Sequence, residues 1–315
     1  FIEFVHFFDP PGDTLEAKLR YVMSRLVDAG LDSLPGGGGE IFASPVRRKI
    51  GLGKCDADAW LTTMYVAHSL GLFTSATMMF GHIEGHADRV QHMLLTRQWQ
   101  DRALHMAKEA PFGHYKAFIS WPFQRENTPL GRVPDWGQRP GDGEIFPGDV
   151  VAEAHAFGRH PEVDYRTLGP AAADFGRRVR RSGAVDYLRT QAVSRLMLDN
   201  VYSIGSSWVT MGPHVGQTGL YFGASDMGSV MMEENVVSSA GTTYCLDEAV
   251  LCRLIRDAGF IPAQRDNTYD ILRVHDGAES PDRRVQDWST HRARRLHAEA
   301  KASSASSPAE LTISR

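Results

Sequence analysis

The sequence predicts an α/β protein organised on a parallel sheet, and three observations carry that prediction. Strand-like apolar runs alternate with amphipathic helical stretches along most of the chain. Nearly every run ends in a glycine-rich or polar cluster, where β/α proteins place their chemistry. The chain has 315 residues and 42% hydrophobic content, enough to bury one barrel-sized core.

Taken in order, Phe1 to Phe8 has the aromatic composition of a strand, and Asp9-Pro10-Pro11-Gly12 ends it as a turn. Thr14 can cap a helix whose apolar face is Leu15, Leu19, Val22, Met23, Leu26 and Val27, with Gly30 as its stop. Leu31 to Leu34 is a short strand that opens, past Pro35, into Gly36-Gly37-Gly38-Gly39-Glu40. Asp56 caps a second helix through Leu61, Met64, Tyr65 and Leu70. Phe73 to Phe80 is a strand ending in Gly81-His82-Ile83-Glu84, and Asp88 to His105 is a helix with Val90, Met93, Leu94 and Trp99 inward. Tyr115 to Trp121 is a strand that ends in Pro122-Phe123-Gln124-Arg125-Glu126-Asn127.

Periodicity then fails from about 131 to 183, where prolines and glycines mark an insertion of the kind that forms lids or accessories. Val185 to Asn200 reads as a helix, Tyr202 to Thr210 and Leu220 to Ala224 as strands, and Asp247 to Ala258 as a helix stopped by Gly259. Six strands in this alternation are the pattern of a (β/α) barrel over residues 1–273 that lacks its first units. The remaining 274–315 are polar, end in a Ser/Ala-rich stretch, and are expected to be a disordered tail.

A net charge of −4 leaves no basic footprint for nucleic acid. No run approaches the ~20 apolar residues of a membrane span, so the expected compartment is the cytoplasm. Cys55, Cys245 and Cys252 are too few and too dispersed for a disulfide framework.

Glycine clusters persist where backbone bends sharply or approaches something closely. Gly36, Gly37 and Gly38 therefore offer bare amides to a carboxylate or phosphate, with Glu40 ready to accept from an ammonium or ribose; a tight turn without a ligand is the alternative. His82, Glu84, His86 and His92 are metal-capable donors, but the last two lie six apart, a poor spacing for one helix face. Gln124, Glu126 and Asn127 can serve a ligand or satisfy their own loop. Asp226, Glu233 and Glu234 flank methionines, and neighbouring carboxylates there can hold ribose hydroxyls or act as a base. Arg265 can pair with a substrate carboxylate or close a structural ion pair.

Six motifs in one order resemble a known family: LDSLPGGGGEI (31–41), ATMMFGHIE (76–84), FISWPFQRENTPL (118–130), YLRTQAVSRLMLDN (187–200), FGASDMGSVMMEENVV (222–237) and AGFIPAQRD (258–266). They resemble the futalosine-pathway radical S-adenosylmethionine enzymes of menaquinone biosynthesis. The Trp121 to Gln124 turn and Pro262 to Asp266 favour the cyclising branch over the aminofutalosine and deazaflavin-chromophore branches. The resemblance implies a (β/α) barrel of the radical enzyme type, S-adenosylmethionine, a [4Fe-4S] cluster, a nucleoside-like small-molecule substrate and an electron donor such as flavodoxin or ferredoxin. It implies that Gly36 to Gly38 and Glu40 face the methionine or ribose part of the cofactor, with His82 and Glu84 toward its ribose and adenine side. Gln124, Glu126, Asn127 and Arg265 then line the substrate, and Asp226 and Glu234 are the candidates for the base.

The family holds its cluster with a Cys-x3-Cys-x2-Cys loop, because three thiolates leave one iron open for the cofactor. This chain has no such loop: Cys245 and Cys252 are seven apart and Cys55 stands alone. The expectation is that roughly two βα units precede Phe1 in the family pattern and that this chain is inactive by itself. A cluster-free barrel binding a nucleoside or a metal is the alternative from another class.

Overall fold

The computed structural model describes residues 1–50, 54–128, 130–132, 179–230, 244–289, 291 and 294–295. A four-stranded parallel sheet organises them: β1 (Ser33–Leu34), β2 (Phe73–Phe80), β3 (Tyr115–Pro122) and β4 (Ser203–Gly205), hydrogen-bonded in that order. A parallel bridge from Gly205 to Asp226 adds a fifth position to the row. Chain order and spatial order agree, so the carboxyl ends of successive strands lie side by side.

The helices α1 (Ile2–Phe8), α2 (Leu15–Asp28), α3 (Ser44–Ile50), α4 (Ala57–Ser69), α5 (His86–Met106) and α6 (Ala184–Met197) precede or connect these strands. Two short helices, α7 (Trp208–Met211) and α8 (Pro213–Gly219), then lead to α9 (Glu248–Asp257). Side chains alternate across β2: Ala76, Met78 and Phe80 are fully buried, while Ser75, Thr77 and Met79 are half-buried on the opposite face. The buried set packs with Trp60, Leu61 and Met64 of α4, Met93 of α5 and Tyr187 of α6. Each such large apolar side chain removed from water stabilises the fold by about 1.5–3 kcal/mol.

The two predicted caps, Thr14 and Asp56, are present, and Asp247 forms a third. Thr14, Asp56 and Asp247 accept from the amides of Ala17, Ala59 and Val250 at 3.1, 2.8 and 2.9 Å, each satisfying an otherwise orphaned first-turn donor.

Three strand expectations are corrected. Residues Ile2–Phe8 form a helix that packs on α2, and Phe4, Phe7 and Phe8 are exposed. Among the described residues β1 pairs only with β2 and no strand lies beside this segment, and aromatic strand preference has little weight without a neighbour. Of Tyr202 to Thr210 only Ser203–Gly205 is strand, because the Ser207 amide turns away to the Tyr187 hydroxyl at 2.7 Å and α7 begins. Leu220–Phe222 is a 3-10 helix; Gly223 at φ 95° turns the chain, and pairing resumes only at Asp226.

The inward face of α5 also differs: Val90 and Leu94 are 37% and 43% exposed, whereas Arg89, His92, Thr96 and Gln100 are buried. β6 (Ala263–Arg265) and β7 (Ile271–Val274) form a separate antiparallel hairpin, after a two-residue β5 (Tyr244–Cys245). The first part of the polar C-terminal segment is folded rather than extended into solvent. Arg256 of α9 donates to Asp282, to the His275 carbonyl and to Ser280 at 2.7, 2.7 and 2.9 Å. Residues 296–315 and 133–178, the bulk of the expected insertion, lie outside the described residues. Among the described residues no helix is long and apolar enough to cross a membrane.

Candidate functional site

The glycine stretch after β1 is shaped by β2. A Cβ on Gly36 would stand 2.7 Å from the Ser75 carbonyl oxygen, and one on Gly39 would stand 2.5 Å from that of Thr77, so neither position accepts a side chain. The Gly36 amide donates to Ser75 Oγ at 2.8 Å and its carbonyl accepts from Thr77 Oγ1 at 2.5 Å. Gly38 has φ 83°, and a Cβ on Gly37 would meet nothing within 4 Å. Close approach therefore explains the outer glycines and the left-handed φ explains Gly38, whose Cβ position lies 3.7 Å from the Trp60 ring, while Gly37 faces open space. Arg47, almost wholly buried, fixes the loop from beneath, donating to the carbonyls of Gly38, Gly39 and Cys55 at 2.9, 2.7 and 2.7 Å. Trp60 Nε1 donates to the Gly37 carbonyl at 3.0 Å.

Glu40 sits in the left-handed region at φ 43° and is 8% exposed. Lys54 pairs with its Oε1, while Oε2 is buried and without a partner among the described residues. Its carbonyl accepts from the Met79 amide at 2.8 Å, which joins the glycine loop to the end of β2.

There the Gly81–Glu84 turn is held by its own carboxylate. Glu84, fully buried, accepts from the amides of Gly81 and His82 at 2.6 and 2.8 Å and from Arg89 Nε at 2.8 Å. Burial drives the Glu84 pKa upward, but His82, Arg89 and the Gly81 amide outweigh it and hold the group at about 2. The His82 ring lies 2.9 Å from Glu84 through Nδ1 and 3.1 Å from the Met79 carbonyl oxygen through Nε2. Its carbonyl accepts from the Arg180 amide at 2.6 Å.

His86 and His92 do not join His82 and Glu84. His86 Nε2 is 3.6 Å from Asp186, and His92 stacks on Phe42 with ring centroids 3.8 Å apart. Burial first and the Arg47 charge second push the His92 pKa down to about 3, so this imidazole is neutral. Among the described residues no group of three His, Cys, Asp or Glu side chains could hold a metal ion.

At the end of β3, the Phe123 amide donates to the Phe80 carbonyl at 2.7 Å and Gln124 folds back to the Pro122 carbonyl at 3.0 Å. Glu126 and Asn127 are exposed, the latter at φ 57°. Farther along the same edge, Arg265 pairs with both oxygens of Asp226, at 3.2 Å for Nη2 to Oδ1, and lies 3.9 Å over the Tyr269 ring. This pair borders a groove of about 700 Å³ whose apolar wall includes Met227, Leu251, Ile255 and Ile261. Glu233 and Glu234 lie outside the described residues.

The structure thus brings Asp226 and Arg265 together, and joins Glu40 to the His82 and Glu84 turn through Met79. Sequence reasoning missed Arg47, Arg89 and Asp186. Arg47 stood in a basic triplet that reads as solvated surface; a guanidinium five residues past Glu84, at a helix start, was the available signal for Arg89.

Against known proteins, residues 173–277 match the family model described as the CofH/MqnC C-terminal region. The chain is 33% identical over 284 residues to a cyclic dehypoxanthine futalosine synthase of Halalkalibacterium halodurans, covering 89% of this chain and 62% of the relative. The same-named protein of Streptomyces coelicolor is 35% identical over 261 residues, covering 83% of this chain and 52% of the relative. Over these stretches the chain is similar to cyclic dehypoxanthine futalosine synthases. An aminodeoxyfutalosine synthase of Thermus thermophilus is 34% identical over 268 residues, covering 84% of this chain and 58% of the relative. The chain spans between about half and three fifths of the length of these curated proteins.

Proposed function

We propose that this chain forms the nucleoside-facing and substrate-facing part of a radical S-adenosylmethionine enzyme that cyclises dehypoxanthine futalosine in menaquinone biosynthesis. The parallel sheet is read as an arc of a (β/α) barrel. The observation that carries the reading is the row of strand ends: Gly36 to Glu40, Gly81 to Glu84, Gln124 and Asp226 follow one another along one sheet edge, in a chain 33–35% identical to cyclic dehypoxanthine futalosine synthases. In parallel α/β sheets that edge is where ligands bind.

The residues fit S-adenosylmethionine, which on reduction supplies a carbon-centred radical. The unpartnered, buried Glu40 Oε2 accepts from an ammonium or ribose hydroxyl, and Gly37, with nothing within 4 Å of its Cβ position, leaves room for a carboxylate beside its amide. Arg265 binds a substrate carboxylate as a planar fork. Asp226 and Glu234 are proposed to receive the proton lost on rearomatisation, and Glu126 and Asn127 to border the substrate.

The residues do not fit an iron–sulfur cluster. Cys55 lies in the loop before α4, whereas Cys252 is on α9, its thiol pushed up to about 11 by burial.

Titration calorimetry of the purified chain tests the reading, with S-adenosylmethionine and dehypoxanthine futalosine as separate titrants and aminodeoxyfutalosine as the competitor. Binding of both titrants, with dehypoxanthine futalosine preferred, is expected, and no cyclic product is expected from this chain by itself. Binding of neither titrant overturns the reading; preference for aminodeoxyfutalosine moves it to the other branch.

A further inference from the structure

We infer that Arg89 and Asp186 are positioning residues: together they fix the Gly81–Glu84 turn by clamping it to the first turn of α6. Two buried groups, Glu84 and Arg89, and the half-buried Asp186 form a continuous relay. Glu84 holds the amides of Gly81 and His82; Arg89, 3% exposed, holds Glu84 through Nε; and Arg89 Nη1 continues to Asp186 Oδ1 at 2.9 Å and Thr190 Oγ1 at 3.0 Å. The guanidinium lies 4.5 Å over the Phe80 ring, so its plane is fixed by the last residue of β2.

The segment entering α6 closes on the same turn. The Arg180 amide donates to the His82 carbonyl, and a Cβ on Gly81 would stand 2.7 Å from Ser182 Cβ. Two stretches 97 residues apart are therefore set by one guanidinium. A lysine is a point donor and cannot serve Glu84 and Asp186 together, whereas the planar fork can. An uncharged α6 anchor loses the charge-assisted bond that orients the fork.

Hydrogen exchange tests this on the full chain with Arg89→Lys and Asp186→Asn, which retain buried polar character if Arg89→Met fails to fold. Expected is a roughly tenfold faster exchange confined to the amides of 81–83 and to the peptide covering 179–183, the change produced by losing about one charge-assisted hydrogen bond. Strands β2 and β3 keep their protection, and the melting temperature stays close to wild type. Unchanged exchange at 81–83 overturns the inference. So does an increase spread evenly over the sheet, which assigns the pair to general stability.

A second arm rests on the proposed function: S-adenosylmethionine affinity falls roughly tenfold in both variants without a matching loss of melting temperature. Failure of the wild-type chain to bind S-adenosylmethionine counts against that function alone, since the exchange arm uses no ligand. Wild-type affinity retained in both variants overturns the positioning role.

Discussion

Two arginines close carboxylates across distant stretches of this chain, and they do so in opposite surroundings. Arg89 lies at the end of β2 in a site with almost no exposed side-chain surface: 4% for the arginine and none for Glu84. Arg265 meets Asp226 at the far edge of the sheet, where the side chains are 20% and 12% exposed beside an open groove. In the first, every oxygen of Glu84 is used by amides and guanidinium, so the pair sets geometry and offers nothing to a ligand. In the second, solvent and an incoming carboxylate can compete for the same fork. The same two residue types thus give a fastener in one place and a receptor in the other, and burial decides which.

The sharpest way to break that contrast is to remove both cations separately. Arg89→Met leaves Glu84 charged, buried and uncompensated, which costs about 3–5 kcal/mol. Equilibrium urea unfolding measures the loss, and a cost below about 1 kcal/mol would show that water reaches Glu84. Replacing the pair together, Glu84→Gln with Arg89→Met, is expected to recover much of this stability because no fully buried charge remains: Asp186, which also loses Arg89, is 23% exposed and lies 3.6 Å from His86.

Acid titration separates the regions next. His92 and His68 are both pushed down to about 3, burial being the first cause in each, while Glu84 is held at about 2. The unfolded chain binds protons on the histidines near pH 6.5 and on the glutamate near 4.3. Stability from the neutral histidines is therefore complete above about pH 6.5 and falls as pH drops toward 3; that from Glu84 is complete above about 4.5 and falls toward 2. His92→Leu is expected to reduce the slope between pH 6 and 4 by up to about 1.4 kcal/mol per pH unit, the value for one proton. An unchanged slope in that variant would mean that His92 is charged in the folded protein.

What the sequence made legible follows its periodicity. β2 and β3 have unbroken runs with turn signals at both ends, and Thr14, Asp56 and Asp247 stand where a first turn needs an acceptor. Ile2–Phe8 was misread because aromatic composition reports a preference for a pleated neighbour, not the neighbour's presence. The interior of α5 was hidden for a related reason. Gln100 is buried because it exchanges hydrogen bonds with both backbone groups of Tyr115 at 2.9 Å, and Arg89 because Asp186 waits 97 residues away. A polar residue with a distant partner looks like surface until the partner is placed. At the site, the glycine stretch announced itself, but the reason for its two ends, the carbonyls of Ser75 and Thr77, belongs to another strand.

The smallest effect on stability carries the most information about function. Arg265→Met removes a partly exposed pair, and the expected cost is about 1 kcal/mol, since water can solvate the Asp226 left behind. If Arg265 receives a substrate carboxylate, the same variant loses about 1.5–3 kcal/mol of binding, the range for a hydrogen bond to a charged group, and dehypoxanthine futalosine affinity falls at least tenfold. Asp226→Asn supplies the opposite test, because it frees the fork while keeping the side chain's size. Affinity for dehypoxanthine futalosine then stays level or rises if Asp226 only competes for Arg265, and falls if Asp226 itself holds the substrate. Calorimetry on the two variants side by side separates a receptor from a fastener: equal, small losses of stability with no change in affinity would make Arg265 a second, weaker version of Arg89.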